Sequence, residues 1–210
     1  LYQSYLKLES NIAFDKENNL WIATAGGLAR FDGYNWKAYR SYNSPIPTNY
    51  INDVKCEKNS NYVWIATSAG LIRYDKNEDW RIYAYDSVNT TYPEGGISTL
   101  EIDVNNNKWI GTDSYGVYYL QDTVFHHMSY ETVPNNNFLS DGVLFSSLAP
   151  NGNLWLAHAS FRMNRDLTLP KGLSCYDGNN WTLYPNPFSY NILYQIYVDQ
   201  RGVVWICTNN

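Results

Sequence analysis

The sequence has little charge and no long apolar run. Lys, Arg, Asp and Glu make up 17% of its 210 residues, the net charge is −5, and neither a basic run nor an acidic tail occurs. A general nucleic-acid surface needs clustered Lys and Arg, so this composition argues against a nucleic-acid partner. No apolar segment approaches the length of about 18 residues that a membrane span needs, so we expect no membrane segment in this chain.

Helical periodicity and the common site motifs are missing as well. Helical apolar spacing is never sustained for about 10 residues, and the sequence has no nucleophile elbow, P-loop, dinucleotide fingerprint or calcium loop. The three cysteines, Cys56, Cys175 and Cys207, form no metal-binding spacing, so we expect buried free thiols. His126 and His127 are adjacent on an expected strand, so they point to opposite faces and cannot readily share a metal. The sequence therefore predicts no catalytic residue, no metal site and no cofactor.

What the sequence does contain is one phrase repeated five times, at intervals of 43 to 50 residues. It reads NLWIAT, YVWIAT, NKWIGT, NLWLAH and VVWICT, with its tryptophans at Trp21, Trp64, Trp109, Trp155 and Trp205. A period of about 40–50 residues made only of short strand-like pieces is typical of a β-propeller. We expect these tryptophans to be largely buried on strands at Leu20–Thr24, Val63–Thr67, Lys108–Thr112, Leu154–His158 and Val204–Thr208.

Each repeat also has a second phrase, which begins with a glycine. Gly27 and Gly70 open two copies, and we expect such glycines to permit a positive φ in a tight turn. A large aromatic residue follows each copy, and we expect it to pack between neighbouring blades; these residues are Trp36, Trp80, Phe125 and Trp181. Aspartates recur six residues before three of the repeated tryptophans and are interpreted as turn formers; they are Asp15, Asp103 and Asp199.

These patterns predict an all-β chain, a β-propeller with four full four-stranded blades and a partial blade at each end. The full blades are expected at about 11–50, 51–96, 97–142 and 143–191, with a partial blade at 192–210 and an unpaired outer strand at 1–5. A complete ring of 6–8 blades needs more sequence than this. We therefore expect residues 1–210 to be a segment of a larger propeller and of a larger polypeptide.

The run from Asp15 to Trp36, Asp-x-x-x-Asn-Leu-Trp-Ile-Ala-Thr-Ala-Gly-Gly-Leu-Ala-Arg-Phe-Asp-Gly-x-x-Trp, closely resembles the two-component regulator propeller repeat. Similar matches cover nearly the whole chain. The resemblance implies a protein of Bacteroidota or related bacteria, with a periplasmic or extracellular location. Many proteins with these repeats are sensor regions of hybrid two-component systems, often linked to polysaccharide use. The repeat itself carries no catalytic residue.

The repeat departs most from itself in the fourth blade. The Thr of the shared phrase becomes His158, and a loop, Ala159–Lys171, is inserted after it. In propellers such a loop shares a face with the long crossovers between blades, which here contain tyrosines. Because tyrosine rings offer flat apolar area and arginine offers forked donors, we predict a ligand-binding face there; its candidate residues are Tyr42, Tyr92, His158, Arg162 and Arg165.

Three functions compete on this reading. The leading one is a non-catalytic extracytoplasmic recognition propeller, the sensor or ligand-binding region of a larger bacterial protein, with a glycan fragment or a protein as partner. The second is a structural, adhesion or secretion-associated surface module, which would use the same aromatics over a broad flat area. The third is an enzyme of the streptogramin-lyase type, which needs a histidine and carboxylates near the propeller axis and has only His158 as a candidate.

Overall fold

The computed structural model describes residues 11–75, 77–86, 88–133, 140–158, 172–185 and 193–208. These residues form 18 strands in five antiparallel sheets. Within the described ranges, no helix has the length and apolar character needed to cross a lipid bilayer. The predicted outer strand Tyr2–Tyr5 and the loop Ala159–Lys171, with Arg162 and Arg165, lie outside these ranges.

The strands follow one another in chain order within each sheet. The first sheet contains β1 (Ile12–Phe14), β2 (Leu20–Thr24), β3 (Gly27–Phe31) and β4 (Trp36–Tyr39). The second contains β5 (Ile51–Cys56), β6 (Val63–Thr67), β7 (Gly70–Tyr74) and β8 (Trp80–Tyr83). The third contains β9 (Ile97–Ile102), β10 (Lys108–Thr112), β11 (Val117–Gln121) and β12 (Val124–Met128). The fourth contains β13 (Val143–Leu148), β14 (Leu154–His158), β15 (Gly172–Tyr176) and β16 (Trp181–Pro185), and the fifth contains β17 (Leu193–Val198) and β18 (Val204–Thr208).

The all-β propeller fold predicted from the repeats is confirmed, and the five strands predicted around the tryptophans have the predicted bounds. In an up-and-down sheet, alternate connections lie at opposite ends. In each sheet, the turn between the first and second strands and the turn between the third and fourth strands therefore lie on one side of the molecule. This side is called here the turn side. The turn between the second and third strands of each sheet lies on the other side, together with the crossovers to the next sheet. This side is called the crossover side. Backbone hydrogen bonds from Ser68 N–H to Tyr50 O (3.3 Å) and from Asp113 N–H to Gly96 O (3.0 Å) join these turns to the crossovers.

The hairpin on the crossover side explains two repeated residues of the phrase. The Thr24 hydroxyl donates to the carbonyl of Gly27 (2.7 Å), and Thr67 does the same to Gly70 (2.8 Å). Gly27 and Gly70 have φ values of 123° and 122°, which L side chains rarely adopt. A Cβ atom on Gly27 would also lie 2.5 Å from the Tyr39 carbonyl oxygen. Glycine is therefore required at this position on two independent grounds.

The aspartates on the turn side organise their loops, as predicted. The Asp15 carboxylate accepts hydrogen bonds from the backbone N–H groups of Glu17 (3.1 Å) and Asn19 (2.9 Å). It also accepts one from the indole N–H of Trp21 (2.9 Å), and Asp199 accepts one from the indole of Trp205 (3.2 Å). The six-residue spacing thus satisfies both the turn and the tryptophan that follows it.

Neighbouring sheets are joined along their inner strands, β1, β5, β9, β13 and β17, which contact one another in that order. The Asn52 side chain donates to the Ile97 carbonyl (2.7 Å), and the buried Asp53 carboxylate accepts from the Leu100 N–H (2.8 Å). The same kind of bond links the next pairs of sheets, from Ser146 N–H to Thr99 Oγ1 (3.1 Å) and from Val198 N–H to Ser147 Oγ (3.0 Å). Polar side chains on the inner strands therefore hold each sheet against the next.

Apolar side chains fill the space between sheets, and the repeated tryptophans show how far this filling extends. Trp21, Trp64 and Trp109 are 1%, 3% and 8% exposed, and each lies in a core cluster shared by two adjacent sheets. Trp155 is half-buried and packs against the fifth sheet. Trp205 is 53% exposed, so the prediction that it is buried is wrong, because no described sheet covers its face of β18.

Two further expectations fail at the ends of the array for the same reason. Trp36 was expected between blades, but it is 61% exposed and stacks on Phe31 of its own sheet, with ring centroids 4.7 Å apart. Cys207 was expected to be buried, but it is exposed on β18, whereas Cys175 is buried and Cys56 is half-buried. A residue at a core position of the repeat is buried only where a neighbouring sheet covers it.

We expect Trp109→Ala to lower the free energy of unfolding of this chain by about 3–5 kcal/mol, because it removes a buried indole from the interface of two sheets. Trp205→Ala is the matched control within the same repeated phrase. Since its indole is half exposed, the cost should be well below that of Trp109→Ala. Urea denaturation of the two variants measures both values. Equal costs would contradict this account of the inter-sheet core.

Candidate functional site

A groove of about 270 Å³ opens between the second and third sheets. Blade residues of the second sheet form one wall, and the turn side of the third sheet forms the other. Aromatic rings, amides and charged groups line it together. The lining residues are Glu57, Tyr62, Trp64, Arg73, Arg81, Tyr83, Tyr92, Asn105, Asn106, Asn107, Lys108, Leu120, Asp122 and Thr123.

Strand register places the residues of the first wall. Trp64 on β6 pairs with Arg73 on β7, and Arg73 pairs with Arg81 on β8. Directly opposed residues of antiparallel strands project from the same face. A tryptophan and two arginines therefore form one row across the second sheet, facing the third sheet.

The two guanidinium groups lie over tyrosine rings. The Arg73 guanidinium carbon lies 4.4 Å from the centroid of the Tyr62 ring, and that of Arg81 lies 5.0 Å from the Tyr83 ring. A guanidinium carries five N–H donors, so a ring contact of this kind does not use up its capacity to bind an oxyanion. Among the described residues, no carboxylate lies within ion-pair distance of Arg73 or Arg81.

The inner end of the groove holds a closed charge network around Glu57. Its carboxylate contacts Lys108 Nζ of the third sheet (2.6 Å) and accepts hydrogen bonds from the Trp64 indole (2.7 Å), Ser60 (2.6 Å) and Asn106 (3.1 Å). Burial alone would raise the pKa of Glu57, but these hydrogen bonds outweigh it and lower the pKa. Glu57 is thus ionised and neutralised by Lys108, so this pair braces the two sheets.

Aromatic side chains close the groove toward the crossover side. Tyr92, from the crossover between the second and third sheets, lies with its ring centroid 5.4 Å from Tyr83 and 5.5 Å from Phe125. It is half-buried in this cluster and also lines the groove. Of the predicted site residues that the structure describes, Tyr92 is the one that lines this groove.

The other predicted residues lie elsewhere. Tyr42 is 74% exposed on the crossover between the first and second sheets, where its hydroxyl accepts from Arg40 Nη1 (2.8 Å). His158 lies in the fourth sheet, and Arg162 and Arg165 fall outside the described residues. The convergence of these side chains on one binding face therefore stays a prediction.

His158 is a buried residue with a structural environment. Its Nδ1 lies 2.8 Å from the Ser140 carbonyl oxygen, and its Nε2 lies 2.8 Å from Ser174 Oγ. A carbonyl only accepts, so Nδ1 carries the proton of the neutral ring and Nε2 accepts from the serine hydroxyl. Burial lowers the pKa of His158 from 6.5 to about 4, opposed in part by the hydrogen bond to Ser140. The His158 imidazole stands where the other blades have the hairpin threonine, and it forms hydrogen bonds to different partners, Ser140 and Ser174.

The histidine pair on β12 points to opposite faces, as expected. His127 pairs with Tyr118 and stacks on its ring, with centroids 4.4 Å apart, whereas His126 pairs with Tyr119. No group of three or more His, Cys, Asp or Glu side chains suited to a metal ion occurs among the described residues.

The arginines of the groove were missed in the sequence because each looks like an ordinary strand residue. Arg73 belongs to the second repeated phrase and has a counterpart in Arg30. The signal was available in principle, since the short β7–β8 hairpin sets the register that places Arg73 opposite Arg81. The contribution of the third sheet was not readable, because it depends on packing between residues about 50 positions apart.

Comparison with known proteins finds one matching family model and several similar structures. The model of the family described as two component regulator propeller matches residues 187–210. No curated protein matches the chain. The extracellular domain of a candidate hybrid two component system, BT3049 of B. thetaiotaomicron, is 26% identical over 95% of this chain and 27% of its own, with a TM-score of 0.76. The corresponding domain of BT4673 from the same organism is 19% identical over 94% of this chain and 26% of its own, with a TM-score of 0.65.

The resemblance predicted from the repeats is confirmed: residues 187–210 match the two component regulator propeller model, and 95% of the chain is similar to the BT3049 extracellular domain. It spans about a quarter of the length of the two extracellular domains. The fold is also shared with an enzyme, virginiamycin B lyase of Staphylococcus aureus, which is 15% identical over 96% of this chain and 64% of its own, with a TM-score of 0.62. That likeness concerns the fold alone.

We expect the stability of this chain to fall between pH 6.5 and pH 4 through His158. The unfolded chain protonates this histidine near pH 6.5, but the folded chain does so only near pH 4, so protons favour unfolding in that window and the contribution is complete above it. Its size is about 3 kcal/mol, because one pKa unit corresponds to about 1.4 kcal/mol.

Urea denaturation at pH 7 and pH 4 measures this loss, with His158→Gln as a variant that cannot titrate at that position. All other groups titrate in both proteins, so the difference between their pH profiles isolates the histidine. Parallel profiles would show that His158 is not held neutral by the fold.

Proposed function

We propose that this chain is part of the ligand-recognition region of a bacterial sensor protein and that it lies outside the cytoplasm, in the periplasm or at the cell surface. The similarity to the BT3049 extracellular domain over 95% of the chain supports this proposal. Because the chain covers about a quarter of that domain, signalling by the whole protein is part of the proposal. We also propose that further blades complete the ring. The exposure of Trp36 and Trp205, at the two ends of the array, supports this proposal.

The proposed ligand is a soluble glycan fragment, and the groove between the second and third sheets is the observation that carries this choice. Its tyrosines offer flat apolar rings with hydroxyls, and Asn105 and Asn106 offer amides, a combination suited to a sugar ring with hydroxyls on its edge. The volume of about 270 Å³ is just below the range of about 300–1,000 Å³ typical for drug-sized ligands. One or two sugar units match that size.

The proposed role is binding without turnover. The charged groups of the groove are arranged for recognition: Glu57 is kept ionised by its four hydrogen-bonding partners, and the arginines are stacked on tyrosines. A general acid needs a pKa near the working pH, and the lowered pKa of Glu57 does not suit that role. Virginiamycin B lyase shares the fold, so turnover is a measured outcome in the test below.

The test uses the full-length protein that carries this chain, screened against neutral and acidic glycan fragments by isothermal titration calorimetry. Tyr62→Ala should weaken binding of a fragment found in the screen by roughly fivefold to tenfold, because it removes one aromatic wall of the groove. Tyr34→Ala is the matched control, since Tyr34 is 91% exposed in a turn of the first blade, and it should bind as the unchanged protein does.

Mass spectrometry of the fragment after prolonged incubation checks turnover, and we expect it to be recovered intact. Cleavage would contradict the non-catalytic role. If no saccharide binds while a purified protein partner does, the glycan is the wrong ligand and the alternative protein partner replaces it. Equal affinities of the unchanged protein and Tyr62→Ala would remove the groove from the site.

A further inference from the structure

The pairing of Arg73 with Arg81 is unfavourable in the protein alone. Like charges directly opposite each other on neighbouring strands repel, and neither guanidinium has an acidic partner among the described residues. Both arginines line the open groove. Folding gains little from two such cations in one row, and an anion in the groove would offset their repulsion.

The first sheet provides an internal comparison, because it has the same row of residues. Arg30 pairs with Lys37 there, as Arg73 pairs with Arg81 in the second sheet. Lys37 forms an ion pair with Glu78, which lies in the β7–β8 turn of the next sheet. The first row therefore has an acidic partner supplied by the protein, whereas the second has none within the part of the chain that the structure describes.

The charged residues that line the groove also leave it with an excess of positive charge. Arg73, Arg81 and Lys108 are cationic, and Glu57 and Asp122 are anionic. Since Glu57 and Lys108 form their own ion pair (2.6 Å), two arginines remain against one aspartate. Asp122 lies in the β11–β12 turn with a φ of 52° and makes no ion pair with either arginine in the described structure. The groove is thus locally cationic in a chain whose net charge is −5.

We propose that this groove binds an acidic sugar, with Arg73 and Arg81 holding a carboxylate or sulfate group on the ring. The forked N–H edge of each arginine matches the geometry of such an oxyanion. Tyr62 and Tyr83 contact the two guanidiniums with their rings, while Asn105 and Asn106 of the third sheet line the same groove and would meet the hydroxyls of the sugar. The inference rests on the proposed recognition function and adds the charge of the ligand to it.

The experiment compares glucuronic acid, glucose 6-sulfate and glucose as probes, each titrated by calorimetry into the full-length protein at low and moderate salt. We expect the two acidic probes to bind more tightly than glucose, with an affinity that falls as salt is added. The ratio between the carboxylate and the sulfate probe then shows which oxyanion the arginines prefer. Glucose binding as tightly as both acidic probes would overturn the proposal while leaving the recognition function standing.

Charge variants test the named residues. Arg81→Gln should weaken the better acidic probe roughly tenfold to a hundredfold, because it removes a hydrogen bond to a charged group, and should weaken glucose by a smaller factor, because glucose carries no charge. Arg73→Gln should act in the same way, and Arg81→Lys should restore part of the affinity. Lys37→Gln is the matched control, at the position of the first sheet that corresponds to Arg81, and should have no effect.

Circular dichroism melts of each variant separate lost binding from lost folding, and Arg81 is the more informative position because its side chain is exposed. Unchanged affinity for the acidic probes in a folded Arg81→Gln variant would overturn the proposal. So would an acidic peptide that binds at these arginines more tightly than any sugar, because it would identify the ligand as a protein segment. Failure of all saccharides to bind would instead contradict the proposed function on which the inference rests.

Discussion

Every sheet in this chain has two faces, and a face becomes buried only when another sheet packs on it. The first core cluster takes Trp21 and Leu28 from the first sheet and Ile65 and Tyr74 from the second, and the next cluster is divided in the same way between the second and third. Burial of apolar area is the main favourable term in folding, so the stability of one blade depends on its neighbours. Repeat arrays behave in this way because each unit contacts only the adjacent ones.

The same packing constraint produces the groove. Inner strands of adjacent sheets are joined by side-chain hydrogen bonds such as that of Asn52 to Ile97, so the sheets are closest there and large side chains are needed farther out. Between the first two sheets, Tyr39, Tyr74 and Trp80 fill this outer space as one aromatic cluster. Between the second and third, aromatic packing fills the crossover side, and arginines border a space that stays open on the turn side. The groove therefore lies where arginines, and not aromatic side chains, border the outer space between two sheets.

The parts of the structure that depend on local pattern could be predicted from the sequence. Strand bounds follow from the tryptophan phrase, and the hairpin glycines follow from their recurrence, because both reflect contacts within one repeat. The exposure of Trp205 could not be predicted, since the same phrase gives a buried or an exposed indole according to the neighbouring sheet. His158 lies between these cases. Its partner Ser174 stands where other copies of the second phrase have Ala29 and Ile72, so a paired substitution was visible, but the bond was not.

The groove could not be predicted for a further reason. The binding face was predicted at the place where the repeat changes in length, in the fourth blade. The second and third blades keep their length, and what distinguishes their interface is a pair of arginines at regular positions that has no acidic partner among the described residues. Arg73 is an ordinary member of its phrase until Arg81 is placed beside it and a turn of the third sheet is brought opposite. Because the groove has one wall on each sheet, a ligand bound there contacts both. Its binding free energy therefore adds to the contact between these two blades.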